Sequence, residues 1–371
     1  MPSWEYDRVE APHPGPEHIA PIELDPLQLD TPARASNCHG WKRRYRAVYG
    51  RPEPGSRSLA HPSESGERPQ PLVDGLVDYL KKKKIKVFGP DKFASKLEGS
   101  KAFMKTLCKK NNIPTANFGV FSNYKKALKF IKKNGAPIVV KADGLAAGKG
   151  VSICKSIRDA MKNTKEILNG KFKSSRRVVL EEFLSGEEIS YFVIVDKNSY
   201  RFFGSAQDHK RVGENDTGPN TGGMGAYSPS QLLNNKLEKK IKKKIIEPTL
   251  KAMKNLGHPY KGFLYAGLMI KKNEPYLIEY NIRMGDPECQ ALMMRLETDL
   301  FKIINYTIKN NLKKISIKWS KKKSITIVLC AKGYPNNYIK NSEIKNLPKV
   351  FSDKNNQIFH AGTYEKNNKI Y

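Results

Sequence analysis

The chain has 371 residues, 39% of them apolar, which excludes wholesale disorder and allows two or three packed domains. Its 67 Lys and Arg against 36 Asp and Glu give a net charge of +31. That excess invites a nucleic-acid or anionic-membrane reading, but it is not evenly spread.

Residues 1–70 hold nine basic and ten acidic side chains, a net −1, whereas 71–371 hold 58 and 26, a net +32. Eleven of the 23 prolines also fall in the first 70 residues. Arg, Pro and Gly come from GC-rich codons and Lys, Asn and Ile from AT-rich ones. Residues 1–70 therefore read as an irregular, Pro-rich leader foreign to the body that follows. Cys38, Cys108, Cys154, Cys289 and Cys330 show no CxxC or zinc spacing, so neither a disulfide framework nor a structural zinc site is expected. The opening MPSWEYDRVE lacks the apolar core of a secretory signal. No apolar run approaches the roughly 20 residues of a membrane span. A reduced, cytoplasmic setting without membrane contact is the expectation.

In chain order, Leu72, Val73, Leu76, Val77 and Leu80 share one helical face, and IKVFGP follows as a short strand and turn. SKLEGSKAFMKTLCKKNN predicts an amphipathic helix starting at Ser95 or Ser100. Strands are expected at 136–142, 177–183, 188–196, 263–270 and 275–282, with helices at 122–134, 156–169, 230–256 and 286–312. The pattern is α+β with hairpin-like strand pairs, not a repeating parallel βα series. SITIVLCAKGYP (324–335) opens another strand-rich segment.

Four stretches carry chemistry. KADGLAAGKGV (141–151) is a Gly-rich turn between Lys141 and Lys149 whose glycines, Gly148 and Gly150 included, let backbone N–H groups approach an anion. It is not a Walker A loop, because Asp143 and Gly150 stand where that motif has Gly and Ser or Thr. A plain hairpin in a lysine-rich chain is the alternative. VLEEFLSGEEIS (179–190) is an apolar strand ending in acids, suited to an adenine through backbone groups and a ribose through a carboxylate, or simply to a solvated turn. In LIEYNIRMGDPE (277–288), Glu279, Asn281 and Arg283 are two apart and project together from a strand. Their oxygens suit a hard cation and the guanidinium suits a carboxylate or phosphate; a polar edge-strand face is the alternative. SAQDHKRVGENDTGPNTGGMGAYSP (205–229) is polar, glycine-rich and almost free of aliphatics, which predicts a long functional loop or a disordered insertion. There His209 reads as an acid/base or as a hydrogen-bonding orienter.

Together with SKAFMK and GFLYAGLMI, these stretches occur in an order that resembles the phosphoribosylamine–glycine ligases (glycinamide ribonucleotide synthetases) of the ATP-grasp superfamily. The resemblance covers about 71–371. It implies an ATP-grasp fold and ATP-dependent ligation of glycine to 5-phosphoribosylamine through a glycyl phosphate, with ATP and Mg²⁺ or Mn²⁺. It assigns Lys101, Lys141, Gly148, Lys149 and Gly150 to ATP phosphates, Glu181, Phe183 and Leu184 to adenine, and Glu188 to ribose. Glu279 and Asn281 become metal ligands, and Arg283 and Asp208 orient glycine or its acyl phosphate. Lys210, Arg211, Asn220, Thr221, Gly222, Gly223, Met224 and Gly225 face the phosphoribosylamine.

On the same resemblance, 1–70 is a non-family leader and 71–98 the remnant of an N-terminal α/β domain. Residues 99–322 form the ATP-grasp domain, and 323–371 a truncated C-terminal β-rich domain. A truncated ATP-binding fragment with weak or no ligase activity is thus the alternative function. A nucleic-acid-binding protein rests on charge alone, and the Lys runs at 81–84, 242–244 and 321–323 read as solvated helix faces. The expected partners are small molecules, without nucleic acid or membrane.

Overall fold

The computed structural model describes residues 69–146, 150–172, 176–347 and 355–371. Residues 1–68 of the expected leader therefore lie outside the described residues. The segment read as one helix from Leu72 is two, α1 (Gln70–Asp74) and α2 (Leu76–Lys82), because Gly75 between them takes a left-handed φ of 102°. The strand expected at IKVFGP does not form: no described strand pairs with it, and Phe88 packs edge-on against Phe263 instead. Both expected helix starts are used. Helix α3 (Lys96–Gly99) follows Ser95, and α4 (Lys101–Lys110) follows Ser100, whose hydroxyl accepts the Phe103 N–H at 3.1 Å.

An antiparallel sheet in the order β1-β4-β2-β3 comes next, built from β1 (Phe118–Phe121), β2 (Ile138–Ala142), β3 (Val151–Cys154) and β4 (Val178–Glu182). Alternation decides its two faces. Ile138, Val140 and Ala142 from β2 join Val178 and Leu180 from β4 in a core closed by α5 (Tyr124–Asn134) and α6 (Ile157–Leu168). The intervening Lys141 and Glu181 therefore turn to the opposite face.

A larger antiparallel sheet runs β10-β7-β6-β5-β8-β9. Its strands are β5 (Glu187–Asp196), β6 (Tyr200–Gly213), β7 (Thr217–Ser228), β8 (Lys261–Lys271), β9 (Glu274–Asn281) and β10 (Ser324–Ile327). Ile189, Tyr191, Val193 and Val195 alternate along β5 into the main core. That core is capped by α7 (Asn235–Ile241), a π turn at Lys242–Ile246, and α8 (Glu247–Asn255), so the helix expected at 230–256 is interrupted. The helix expected at 286–312 is also two, α9 (Glu288–Arg295) and α10 (Leu300–Ile308). Leu296 leaves α9 in extended backbone and bridges Trp319, and the Asp299 carboxylate caps α10 by accepting the Lys302 N–H at 2.8 Å.

The most consequential correction concerns 205–229. It is neither a loop nor a disordered insertion but most of the β6–β7 hairpin, turned at Asn215 and Asp216, both at positive φ. Glycines hide it from periodicity because they are needed for close approach. A Cβ on Gly225 would stand 2.8 Å from the Thr326 carbonyl oxygen of β10. A short hairpin of β11 (Glu365–Lys366) and β12 (Lys369–Ile370) completes the described elements.

Candidate active site

The two sheets bring their polar faces together around the Gly-rich turn. Asp143 opens that turn and pins it to the start of α4: its Oδ1 accepts from Ser100 Oγ at 2.9 Å and from the Ala102 N–H at 3.0 Å, and its Oδ2 lies 2.6 Å from Arg177. Lys101, one residue into α4, donates to the Gly144 carbonyl at 2.9 Å. Gly150 closes the turn, with its carbonyl accepting the Ala142 N–H; a Cβ there would lie 2.6 Å from that of Ala146. Gly148 and Lys149 lie outside the described residues.

On the inward face of β2 and β4, Lys141 Nζ is 3.0 Å from Glu181 Oε2, and Lys105 Nζ from α4 is 2.9 Å from the same oxygen. Burial works against the Glu181 carboxylate, yet Lys141 and Lys105 hold its pKa below the ordinary range. Its other oxygen, Oε1, is buried without a hydrogen-bond partner. Phe183 is 40% exposed just past β4, whereas Leu184 is buried. Glu188, at the start of β5, pairs with Lys210 of β6 at 2.6 Å.

Residues two apart on β6 share a face, so Asp208 projects beside Lys210. Burial pushes the Asp208 carboxyl up to about 7, with Lys210 opposing and Glu288 and Glu188 reinforcing the rise. His209 sits between them on the other face, exposed, with its ring 6.2 Å from that of Tyr227. Arg211 lies toward the hairpin tip, 3.7 Å from Asp216, and opposite Asn220. Thr221 Oγ donates to the Lys210 carbonyl at 2.8 Å and accepts the Gly223 N–H at 3.0 Å, while the Gly222 N–H reaches Tyr334 Oη at 3.3 Å. Met224 accepts the Val328 N–H at 2.9 Å, and Gly225 pairs with His209 and Ile327.

Glu279 and Asn281 face β8 at Gly267 and Tyr265. Gly267 leaves room beside the carboxylate, since a Cβ there would stand 3.3 Å from Glu279 Cγ. Burial disfavours the Glu279 carboxylate, but Lys210, Lys141, Lys101 and Arg283 together hold its pKa down. Arg283 lies beyond the end of β9, yet its Nη2 reaches Asn281 Oδ1 at 3.2 Å, so the expected three-residue face is largely kept. Among the described residues no three His, Cys, Asp or Glu side chains converge as a metal cage. A carboxylate and an amide oxygen on one strand still fit a hard cation whose shell phosphate and water complete.

Sequence reasoning passed over four side chains that the fold places here: Glu98, Lys105, Asp143 as a turn anchor, and Glu288. Glu288 is 2% exposed and accepts from Ser190 Oγ at 2.9 Å, and that hydroxyl lies 2.9 Å from Tyr265 Oη. Lys105 had a readable signal, since it lies between Met104 and Cys108 on the apolar stripe of α4.

The same sequence matches known proteins. The family model of the phosphoribosylglycinamide synthetase ATP-grasp (A) domain matches residues 99–289. The phosphoribosylamine–glycine ligase of Brucella melitensis is 48% identical over 301 residues, covering 81% of this chain and 70% of that protein. The chain belongs to the phosphoribosylamine–glycine ligase family. Its chloroplastic member from Arabidopsis thaliana is 50% identical, with 79% of this chain and 56% of that protein covered. The crystal structure of the ligase from Thermotoga maritima superposes with a TM-score of 0.71 at 35% identity, covering 76% of this chain and 71% of that one. The α+β sheets and the hairpin described above are thus an ATP-grasp fold. No helix among the described residues is long and apolar enough to cross a membrane.

Proposed function

We propose that the chain joins glycine to 5-phosphoribosylamine, converting ATP to ADP and phosphate. The observation that carries this reading is that Lys101 of α4, Lys141 of β2, Lys210 of β6 and Arg283 just past β9 together hold down the pKa of the Glu279 carboxyl. A site that must gather a polyphosphate, a carboxylate and a cation needs such a cluster.

In the first step a glycine carboxylate oxygen attacks the γ-phosphorus of ATP, and ADP leaves. In the second, the amine of phosphoribosylamine attacks the glycyl phosphate carbonyl, the amide forms, and phosphate departs with a proton lost from nitrogen. No side chain need form a covalent bond, so positioning and charge neutralisation carry the rate. Lys101 and Lys141, with Gly148, Lys149 and Gly150, hold the phosphates. Burial lowers the pKa of Lys101, which makes its ammonium costly until an anion pairs with it. Glu181, Phe183 and Leu184 line the adenine site and Glu188 the ribose. The unpartnered Oε1 of Glu181 is an acceptor suited to an exocyclic amine.

Mg²⁺, or Mn²⁺, at Glu279 and Asn281 would neutralise phosphate charge as a Lewis acid. Arg283 takes the glycine carboxylate: its Nη groups are engaged within the protein, while its Nε is buried without a partner. Asp208, with a carboxyl that titrates near neutrality, orients glycine or receives the amine proton. The strands from Lys210 and Arg211 to Asn220–Gly225 face phosphoribosylamine. Residues 99–322 are the ATP-grasp domain in this reading, flanked by 71–98 and by a β-rich segment from 323. The proposed compartment is the cytoplasm, on the free thiols of Cys108, Cys154 and Cys330.

The test is ADP release by the purified chain with Mg²⁺, ATP, glycine and phosphoribosylamine. Release should require both glycine and the amine. Release without the amine, or none from folded protein, overturns the reading and favours an ATP-binding fragment.

A further inference from the structure

One buried carboxylate beside the site has no part in the reading above. Glu98, in the short helix α3, belongs to the segment before the family-matched residues and is 184 positions from the strand end it touches. Its side chain is 9% exposed, and its oxygens divide their partners. Oε2 accepts the Ile282 N–H at 2.8 Å, satisfying the backbone where it leaves β9. Oε1 lies 3.1 Å from Arg283 Nη2, the same nitrogen that donates to Asn281 Oδ1. Burial pushes the Glu98 carboxyl up, with Arg283 opposing.

The support beneath Glu98 is tight. Leu97 is 1% exposed in the main core, and a Cβ on Gly99 would meet Val73 Cγ2 at 2.9 Å. Helix α3 therefore cannot drift without disturbing α1. Arg283 is consequently held along one edge: Nη1 donates to the Met284 carbonyl at 3.0 Å, Nη2 is shared by Glu98 and Asn281, and Nε is left over. A guanidinium free to rotate would offer any of its edges to an anion.

We propose that Glu98 is a positioning residue for the ligation: it clamps the exit of β9 and fixes Arg283 so that the Nε edge meets the substrate carboxylate. It acts through Arg283 and touches no reacting atom. This inference rests on the ligase reading for the role of Arg283.

The test is E98Q, which keeps shape and an acceptor but removes the charge that holds the guanidinium. The KM for glycine should rise about tenfold, the loss typical of removing an outer-shell partner, while the KM for ATP stays within about twofold. In an R283K background the E98Q effect on the glycine KM should vanish. A purely structural Glu98 would lower the unfolding midpoint and leave both KM values unchanged, which overturns the proposal, as do additive effects in the double variant. A crystal structure of E98Q supplies an arm that needs no turnover. The guanidinium should leave Asn281, and an unmoved Arg283 overturns the proposal. Absence of glycine-dependent ADP release from the unmodified chain would instead overturn the ligase reading, with the crystallographic arm still deciding on Glu98. Should E98Q not fold, E98D keeps the charge on a shorter arm. It should raise the glycine KM selectively, and unchanged or equally raised KM values for glycine and ATP count against the clamp.

Discussion

Lys105 and Glu181 form an ion pair of 2.9 Å in which both side chains are buried, with 0% and 4% exposed. Lys105 also donates to Thr115 Oγ at 2.6 Å, and that hydroxyl donates to the Leu277 carbonyl at 2.6 Å. The pair thus ties α4 and the small sheet to β9 through one short relay. Burial lowers the pKa of Lys105, with Glu181 opposing, so its ammonium persists because the carboxylate does.

Removing one partner of such a pair leaves the other buried and undercompensated. K105M should therefore destabilise the chain by about 3 kcal/mol, read as a lower urea midpoint. Lys141 would then be the only cation on Glu181 Oε2, and its reach toward ATP should shorten, raising the KM for ATP. An unchanged midpoint would show that the Lys105 charge is not needed to hold the carboxylate.

The Asp208 carboxyl makes a prediction in pH. Its ordinary pKa of 3.8 rises to about 7 in the fold, chiefly through burial. The native state therefore binds this proton more tightly than the unfolded chain does. Its contribution to stability is complete below pH about 4, declines as pH rises toward about 7, and is lost above. D208N has no proton to lose, so its stability relative to the parent should improve between pH 5 and pH 8, measured by urea midpoints. The same variant should lose at least tenfold in ligation rate, within the range of a missing acid–base group. A stability difference that does not change between the two pH values would place the Asp208 titration elsewhere.

These groups differ in how far the sequence discloses them. Short apolar runs made β2, β4, β5, β8 and β9 readable, and the two-residue spacing on β9 the shared direction of Glu279 and Asn281. The β6–β7 hairpin was hidden because its cross-strand neighbours demand glycine at positions where periodicity needs a side chain. Asp208 and Lys210 could be named from the motif, but their shared face follows only once the segment is a strand. Glu98 was out of reach for another reason. Nothing local marks a glutamate as the partner of a backbone N–H 184 residues away; only tertiary structure joins them.

Gly223 tests whether that hairpin is held in place from outside. Its φ is 122°, a conformation that L side chains rarely adopt, and a Cβ there would collide with Pro287 Cδ and lie 3.0 Å from the Asp286 carbonyl oxygen. Both obstacles belong to the turn leading into α9, whose first residue is Glu288. G223A must therefore either strain the backbone or push the hairpin off that turn. The first costs about 1–3 kcal/mol, and the second shifts Lys210 and Asp208 relative to Glu279. A displacement of about 1 Å in such a site costs roughly a hundredfold in rate. G222A is the control, since the nearest atom to its added methyl would be Tyr334 Oη at 3.6 Å, an ordinary contact. G223A should lower both the unfolding midpoint and kcat/KM, whereas G222A should leave the midpoint within about 0.5 kcal/mol of the parent. Equal midpoints for the two variants would mean that the hairpin yields freely and that the α9 turn does not set its position.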